Sequence, residues 1–267
     1  MTMLRGFRRG LRAMAGLVLV AGGVGAFPVL AHAAPVTVVT IQFDDGNDDV
    51  FQWISGLNNH GFPATFYVNS GTIGTAGHLT WDQLTSLATA GNDIGSHTVD
   101  HTDLKKLKLA AARAEVCQDR VNLAAHGFQP ESFAYPFSDF SSSLETQVIQ
   151  YCGDNSGRLS SGISDKGVFA ETIPPADPYA TRTPADPKQG TTVATIEGYV
   201  TAAEQNGGGW VQLTFHHICS QCDAYSITSA NMQALLDWLE TQVTAGTVVI
   251  ESTRQVIGGP YVTPFCC

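Results

Sequence analysis

Three short clusters of carboxylates and histidines carry the chemistry open to this chain. The first is Phe43-Asp44-Asp45-Gly46. Two adjacent carboxylates close an apolar stretch, and a glycine turns the chain. Neighbouring side chains at a strand end point to different sides, so one carboxylate can bind a metal while the other faces its water. Asp-Asp-Gly is also an ordinary polar turn that caps a helix. The second cluster is His97-Thr98-Val99-Asp100-His101. Two imidazoles four apart meet one ion if the chain between them makes a helical turn. Neutral imidazole suits zinc and similar divalent ions, a carboxylate supplies a third ligand, and three protein ligands leave a position open. The competing reading is a pair of surface histidines. The third cluster is Leu213-Thr214-Phe215-His216-His217. A histidine ending an apolar strand can act as a general acid, or it can sit in a core and bond to a carbonyl.

Such groups need a rigid frame, and the hydrophobic pattern supplies one. Segments 36–43, 64–68, 93–96, 132–135, 157–159, 210–215 and 248–251 read as strands. Segments 50–57, 107–123, 142–151, 196–204 and 229–243 read as helices. Thr80 and Gln83 spell a capping box for a further helix that Gly91 ends. Residues 160–192 are rich in Pro, Gly, Asp and Thr and read as loop. Strands alternating with helices imply an α/β fold with a parallel sheet closed, or nearly closed, into a barrel. Its chemistry then sits on the loops after the strand C-termini. All three clusters fall at such places.

The amino-terminal 33 residues stand apart from this pattern. Arg5, Arg8, Arg9 and Arg12 precede an apolar run broken by Gly22, Gly23, Gly25 and Pro28, and Ala31-His32-Ala33 follows. This is the form of a secretory signal peptide rather than a membrane anchor, with general secretory export favoured over the twin-arginine route. The expected organisation is a signal peptide over 1–33, a catalytic domain over 34–267 and a secreted, extracellular, monomeric product. The formal charge of −10 becomes −14 without the four signal arginines. That balance is ill suited to nucleic acid or anionic membranes. The six cysteines all follow the signal segment, in a compartment that permits disulfides. Cys117 with Cys152 is the expected pair; Cys219 and Cys222 pair either locally or with Cys266 and Cys267. No second Cys-x-x-Cys stands at zinc-ribbon spacing.

Taken in order, the clusters resemble the polysaccharide deacetylase family, carbohydrate esterase family four. Gln42-Phe43-Asp44-Asp45-Gly46 resembles its Thr/Ser-Phe-Asp-Asp-Gly segment, with Gln42 a departure. His97-Thr98-Val99-Asp100-His101 and Leu213-Thr214-Phe215-His216 resemble its His-Ser/Thr-x-x-His and Leu-x-x-His segments. Ala64-Thr65-Phe66-Tyr67-Val68 and Leu79-Thr80-Trp81-Asp82-Gln83-Leu84 resemble its framework. The likeness spans about 36–252. It implies a distorted, incomplete (β/α) barrel and a divalent metal, usually zinc, held by Asp45, His97 and His101. It also implies Asp44 as general base, His216 as general acid, and removal of N-acetyl groups from an N-acetylated polysaccharide or oligosaccharide. The family's Arg-x-Pro-Tyr/Phe segment reads Ala134-Tyr135-Pro136-Phe137 here. The Phe137 N–H can still face an oxyanion, but the arginine is missing, and Arg182 is the candidate to replace it. The family's Asp-x-x-Asp-Trp segment has no match. An O-acetyl (acetylxylan) esterase with the same site, or a non-catalytic carbohydrate-binding relative, are the alternatives. Trp53, Trp81, Trp210 and Trp238 read as core, His60, His78 and His126 as solvated, and Phe169 and Tyr179 as candidate sugar contacts.

Overall fold

The β-branched and aromatic run from Thr37 to Phe43 forms the strand around which the sheet is built. The computed structural model describes residues 36–265. The expected signal segment, 1–33, and Cys266 and Cys267 lie outside the described residues. The strands are β1 (Thr37–Phe43), β2 (Ala64–Val68), β3 (Asp93–Ser96), β4 (Ser132–Ala134), β5 (Ser156–Gly162), β6 (Thr181–Thr183), β7 (Gly209–Phe215), β8 (His217–Ile218), β9 (Ser226–Ile227) and β10 (Val248–Ile250). β1 pairs along its whole length with β7, while β10 takes Thr37–Val39 and β2 takes Ile41–Phe43. From β2 the sheet runs through β3, β4 and β5 to β6, and every pairing is parallel. Between β6 and β7 the ring is joined only loosely. Gln212 Nε2 donates to the Arg182 carbonyl at 3.1 Å, and Glu171 and Trp210 exchange backbone bonds of 2.9 and 2.8 Å. The result is the expected distorted barrel, parallel and nearly closed.

Helices α1 (Ile54–His60), α2 (Trp81–Thr89), α3 (Leu109–Ala125), α4 (Ser142–Leu144), α5 (Gln150–Cys152), α6 (Val193–Gln205), α7 (Ser229–Ala245) and α8 (Thr253–Ile257) surround it. α2 begins with the expected capping box of Thr80 and Gln83. Three segments differ from expectation. Residues 50–57 divide into a 3-10 stretch, Asp48–Trp53, followed by α1. The 142–151 helix is broken by a π-helical turn, Glu145–Ile149. The 160–192 loop contains β6, a strand of three residues, too short to show any periodicity. Disulfides join Cys117 to Cys152, linking α3 to α5, and Cys219 to Cys222. Among the described residues no helix is long and apolar enough to cross a membrane.

Strand alternation divides the barrel into two environments. Val39, Ile41, Phe43, Ala64, Phe66, Val68, Val211, Leu213 and Phe215 join a core with Leu57, Leu87, Leu235 and Leu239 of the helices. The intervening positions Thr40, Gln42, Thr65, Tyr67, Gln212 and Thr214 are equally buried but polar. A buried polar group is costly unless it is hydrogen-bonded, and these bond to one another. Gln42 Nε2 donates to Gln212 Oε1 at 2.8 Å and to Thr253 Oγ1 at 3.0 Å, and Trp210 Nε1 donates to Thr40 Oγ1 at 2.8 Å. This polar face runs up β1 from Thr40 through Gln42 to Asp44.

Candidate active site

The site opens where the parallel strands end. The Asp44 N–H still donates to the Phe215 carbonyl at 2.9 Å, continuing the β1 ladder. Asp45 and Gly46 then adopt left-handed backbone, at φ 69° and 67°, and the chain turns over the barrel mouth. At the end of β3, the His97 N–H donates to the Val68 carbonyl at 3.1 Å. His97 and His101 are brought together, but not by a helical turn. Thr98 and His101 are left-handed, at φ 70° and 53°, and fold the segment back on itself. His97 Nδ1 lies 2.7 Å from the Ala134 carbonyl. That bond places the proton on Nδ1 and leaves the Nε2 lone pair free for an ion. His97 Nε2 and His101 Nε2 are 3.4 and 3.3 Å from Asp45 Oδ1. Donors about 2.1 Å from one tetrahedral ion are about 3.4 Å apart, so the three atoms fit a shared zinc-sized ion.

A second layer holds this cluster in place. Asp119 of α3 accepts from the His97 N–H at 3.1 Å, from Ser96 Oγ at 2.6 Å and from the Ser70 N–H at 2.8 Å. Asn69 Nδ2 donates to the His97 and Thr98 carbonyls. Of the six non-glycine residues with left-handed φ among those described, Asp45, His101, Phe137 and Ser138 line this one cleft, and Thr98 follows its ligand His97. Each such conformation costs on the order of 1–3 kcal/mol and persists only where its surroundings impose it. Burial opposes the charge on Asp45, but His97, and then His216 and His101, outweigh it and hold the carboxyl well below its usual range. Burial also opposes the charge on His97, and Asp45 and Asp44 overcome it, raising the imidazole. Burial and repulsion from His97 depress His101.

Asp44 points the other way, into the barrel, and is 2% exposed. Its Oδ2 lies 2.5 Å from Arg158 Nη2. Arg158 is 1% exposed, and its charge is favoured by Asp44 despite burial. His216 Nε2 stands 3.9 Å from the same Oδ2, and Asn47 Nδ2 donates to the His216 carbonyl at 3.1 Å. Arg158 escaped the sequence reading. It lies in β5, directly across the ladder from Ala134, the position where the family arginine was expected. Its signal was an arginine among small residues, Ser156-Gly157-Arg158-Leu159-Ser160. In a buried strand such a charge requires a counter-charge.

Arg182, the expected substitute, does not reach Asp44. Its guanidinium pairs with Glu171, with Nε–Oε1 at 2.5 Å and Nη2–Oε2 at 3.0 Å, at the β6–β7 seam. A nearer carboxylate has captured it. The cleft is a cavity of about 330 Å³ lined by Asp44, Asp45, His97, His101, Asp186 and His216, with Tyr135, Phe137, Ser138, Ser160 and Tyr225. Asp186 follows β6 and was also missed. Burial pushes its carboxyl up to about 6, against the pull of Arg158 and with repulsion from Asp44. Phe137 takes φ 58° and lies edge-on to His101 at 4.6 Å. Phe169 and Tyr179 are not among the cleft-lining residues. Of the tryptophans, Trp210 is fully buried and the other three are partly buried against the main core. His126 is exposed and stacks on Trp81 at 3.5 Å.

Residues 31–153 match the family model described as polysaccharide deacetylase. Over 83 residues the chain is 35% identical to YxkH of Bacillus subtilis (strain 168), whose name assigns it to the polysaccharide deacetylases. The match covers 31% of this chain and 30% of that protein. The chain spans less than half the length of the curated relatives it matches. The structure is similar to a family 4 carbohydrate esterase from Streptomyces lividans in complex with acetate, at TM-score 0.55 and 17% identity. The alignment covers 87% of this chain and 100% of that one. It is also similar to a family 4 acetyl xylan esterase from Clostridium thermocellum in complex with a cobalt ion, at TM-score 0.55 and 18% identity. There it covers 84% and 94%. At these identities the structural likeness establishes the fold.

Proposed function

Residues 31–153 belong to the polysaccharide deacetylase family, and from that premise we propose that the protein removes N-acetyl groups from an N-acetylglucosamine-containing polysaccharide by metal-dependent hydrolysis. The observation that carries the reading is the buried Arg158–Asp44 pair set between the Asp45–His97–His101 cluster and His216. Asp45, His97 and His101 would hold a divalent ion, zinc by the chemistry of two imidazoles and a carboxylate. Such an ion polarises an acyl carbonyl and acidifies water.

The protein groups divide the remaining work. Arg158 occupies Asp44 Oδ2 and orients the carboxylate, while Asp44 Oδ1 is buried with no hydrogen-bond partner among the described residues. Oδ1 is therefore free to take the proton of a water attacking the acetyl carbon. Charge developing on the acyl oxygen meets the Phe137 N–H, a fixed dipole that needs no reorganisation. His216, beside Asp44, gives its proton to the departing nitrogen, because an amine leaves poorly unless protonated. Attack and departure thus use two groups already in place, with no covalent enzyme intermediate.

The presence of Arg158 argues against a non-catalytic carbohydrate-binding relative, because binding alone does not require an oriented base. Export fits an enzyme of extracellular polymers, and the basic and apolar pattern of residues 1–33 supports it. The test is acetate release from N-acetylglucosamine oligomers and from acetylxylan, with and without chelator. Chelator abolishes release and Asp44→Asn abolishes it with the metal still bound. Release that survives complete removal of metal would overturn the reading. Release from acetylxylan alone would assign the O-acetyl reaction.

A further inference from the structure

We propose that Tyr225 is a sugar-binding residue of the cleft, a platform that makes this chain select a glycan over a small acetyl compound. The inference rests on the deacetylase reading and adds the residue that sets substrate class. The sequence reading gave Tyr225 no role. Two large rings in the cleft lining stand open to solvent, Phe137 at 64% and Tyr225 at 39%. Phe137 lies against His101 at 4.6 Å and Tyr225 against His216 at 5.3 Å. The two rings therefore bracket the reacting groups. Exposed apolar area in a polar-rimmed cleft marks a contact surface. A pyranose ring suits it, with an apolar C–H face to stack on an aromatic ring and hydroxyls at its edge for polar neighbours.

The backbone that carries Tyr225 is held by several bonds. The chain leaves β7 after Phe215, passes His216, forms the short parallel pair β8–β9 and presents Tyr225 immediately before β9. The His217 N–H donates to the Tyr225 carbonyl at 3.2 Å, and the Tyr225 N–H donates to Asp223 Oδ1 at 2.8 Å. The Cys219–Cys222 disulfide closes the turn between β8 and β9. Lys188 Nζ lies 4.8 Å from the centre of the Tyr225 ring, and the Gln189 N–H bonds the Ala224 carbonyl at 3.0 Å. A core side chain needs no such bracing, since packing fixes it. A ring carried on a backbone fixed before ligand arrives costs less ordering on binding, which favours affinity. Lys188 Nζ, over one face of the ring, is a donor for hydroxyls of a sugar bound in the cleft.

The experiment compares Tyr225→Ala and Tyr225→Phe with the metal-loaded wild-type chain on an N-acetylglucosamine pentamer and on 4-nitrophenyl acetate. Tyr225→Ala raises KM for the pentamer roughly tenfold, with kcat within about twofold, and leaves ester turnover within about twofold. Tyr225→Phe keeps the ring and behaves as wild type on both. An unchanged KM for the pentamer overturns the proposal. So does an equal loss on pentamer and ester, which would make Tyr225 a support for His216 instead. Failure of the deacetylase reading shows separately, as a wild-type chain inactive on the pentamer. Acetylxylan oligomers then replace the pentamer in the same comparison, and inactivity on both glycans overturns both inferences.

Discussion

Arg158 and Asp44 meet at 2.5 Å inside the barrel, carried there by β5 and by the end of β1. Ala134, where the family motif places its arginine, stands directly across the ladder from Arg158. What matters to the carboxylate is where the guanidinium fork ends, and two paired positions on neighbouring strands can deliver it to the same point.

Removing that fork strands a buried carboxylate. Arg158→Ala is expected to lower kcat by roughly 100-fold through misplacement of Asp44 and to cost about 3–5 kcal/mol of stability. Metal content stays at the wild-type level. Steady-state kinetics, metal analysis and denaturant unfolding check the three parts. Adding Ala134→Arg to Arg158→Ala should recover a measurable share of kcat, which a simple loss of packing would not allow.

Arg182 gives the contrasting outcome. Its guanidinium is committed to Glu171 at the seam, so Arg182→Ala should leave kcat/KM within about twofold of wild type. A large loss in kcat with stability intact would return it to the reaction.

Asp186 sets an expectation for pH. Its carboxyl, raised by burial to about 6, faces Arg158, Asp44 and His216. As pH rises through about 6 it ionises and adds a negative charge facing His216, the proposed proton donor. Activity should rise across that range. Asp186→Asn should flatten this limb, because the carboxyl that ionises near pH 6 is then gone. A pH profile of kcat/KM for both proteins decides it.

Stability should follow a different course. Burial raises Asp93 and Asp119 to about 6 and Asp154 to about 7. A carboxyl whose folded value lies above its unfolded one prefers the proton when folded. Its contribution is full below the unfolded value near 3.8 and is lost as pH rises through the folded value. Melting temperature, measured at fixed metal occupancy, is therefore expected to be higher at pH 5 than at pH 8. Asp45 acts oppositely, since its depressed value contributes above its unfolded pKa and is lost in acid.

The main strands and the three reactive clusters were legible in the sequence because each combines a long apolar or alternating run with an abrupt polar end. Ala64–Val68 and Asp93–Ser96 formed at the expected bounds. β6 was not legible, since three residues carry no period and its register with β5 is interrupted by a shift. The turn that joins His97 to His101 is not the helical one that the spacing allowed for, because left-handed Thr98 and His101 bring the same His-x-x-x-His spacing together. Arg158 was not legible because the family motif places its arginine at the position of Ala134, and only the β4–β5 pairing brings residue 158 opposite it. Asp186 stands in a Pro-rich stretch with no local pattern, and only the closing of the barrel brings it to Asp44 and His216.

The three donor atoms above the barrel come from two distant parts of the chain, position 45 on one side and positions 97 and 101 on the other. An ion shared among them would close a loop of some fifty residues, as a covalent cross-link does. In the chain-entropy picture that closure is worth about 4 kcal/mol. Its gain would be drawn from the unfolded chain, independent of any contact made in the native state. Chelation would then remove a staple between β1 and β3 as well as a catalyst. Loosening should begin at the left-handed turns around Asp45 and His101, which would be the first places where a protease cuts the stripped protein.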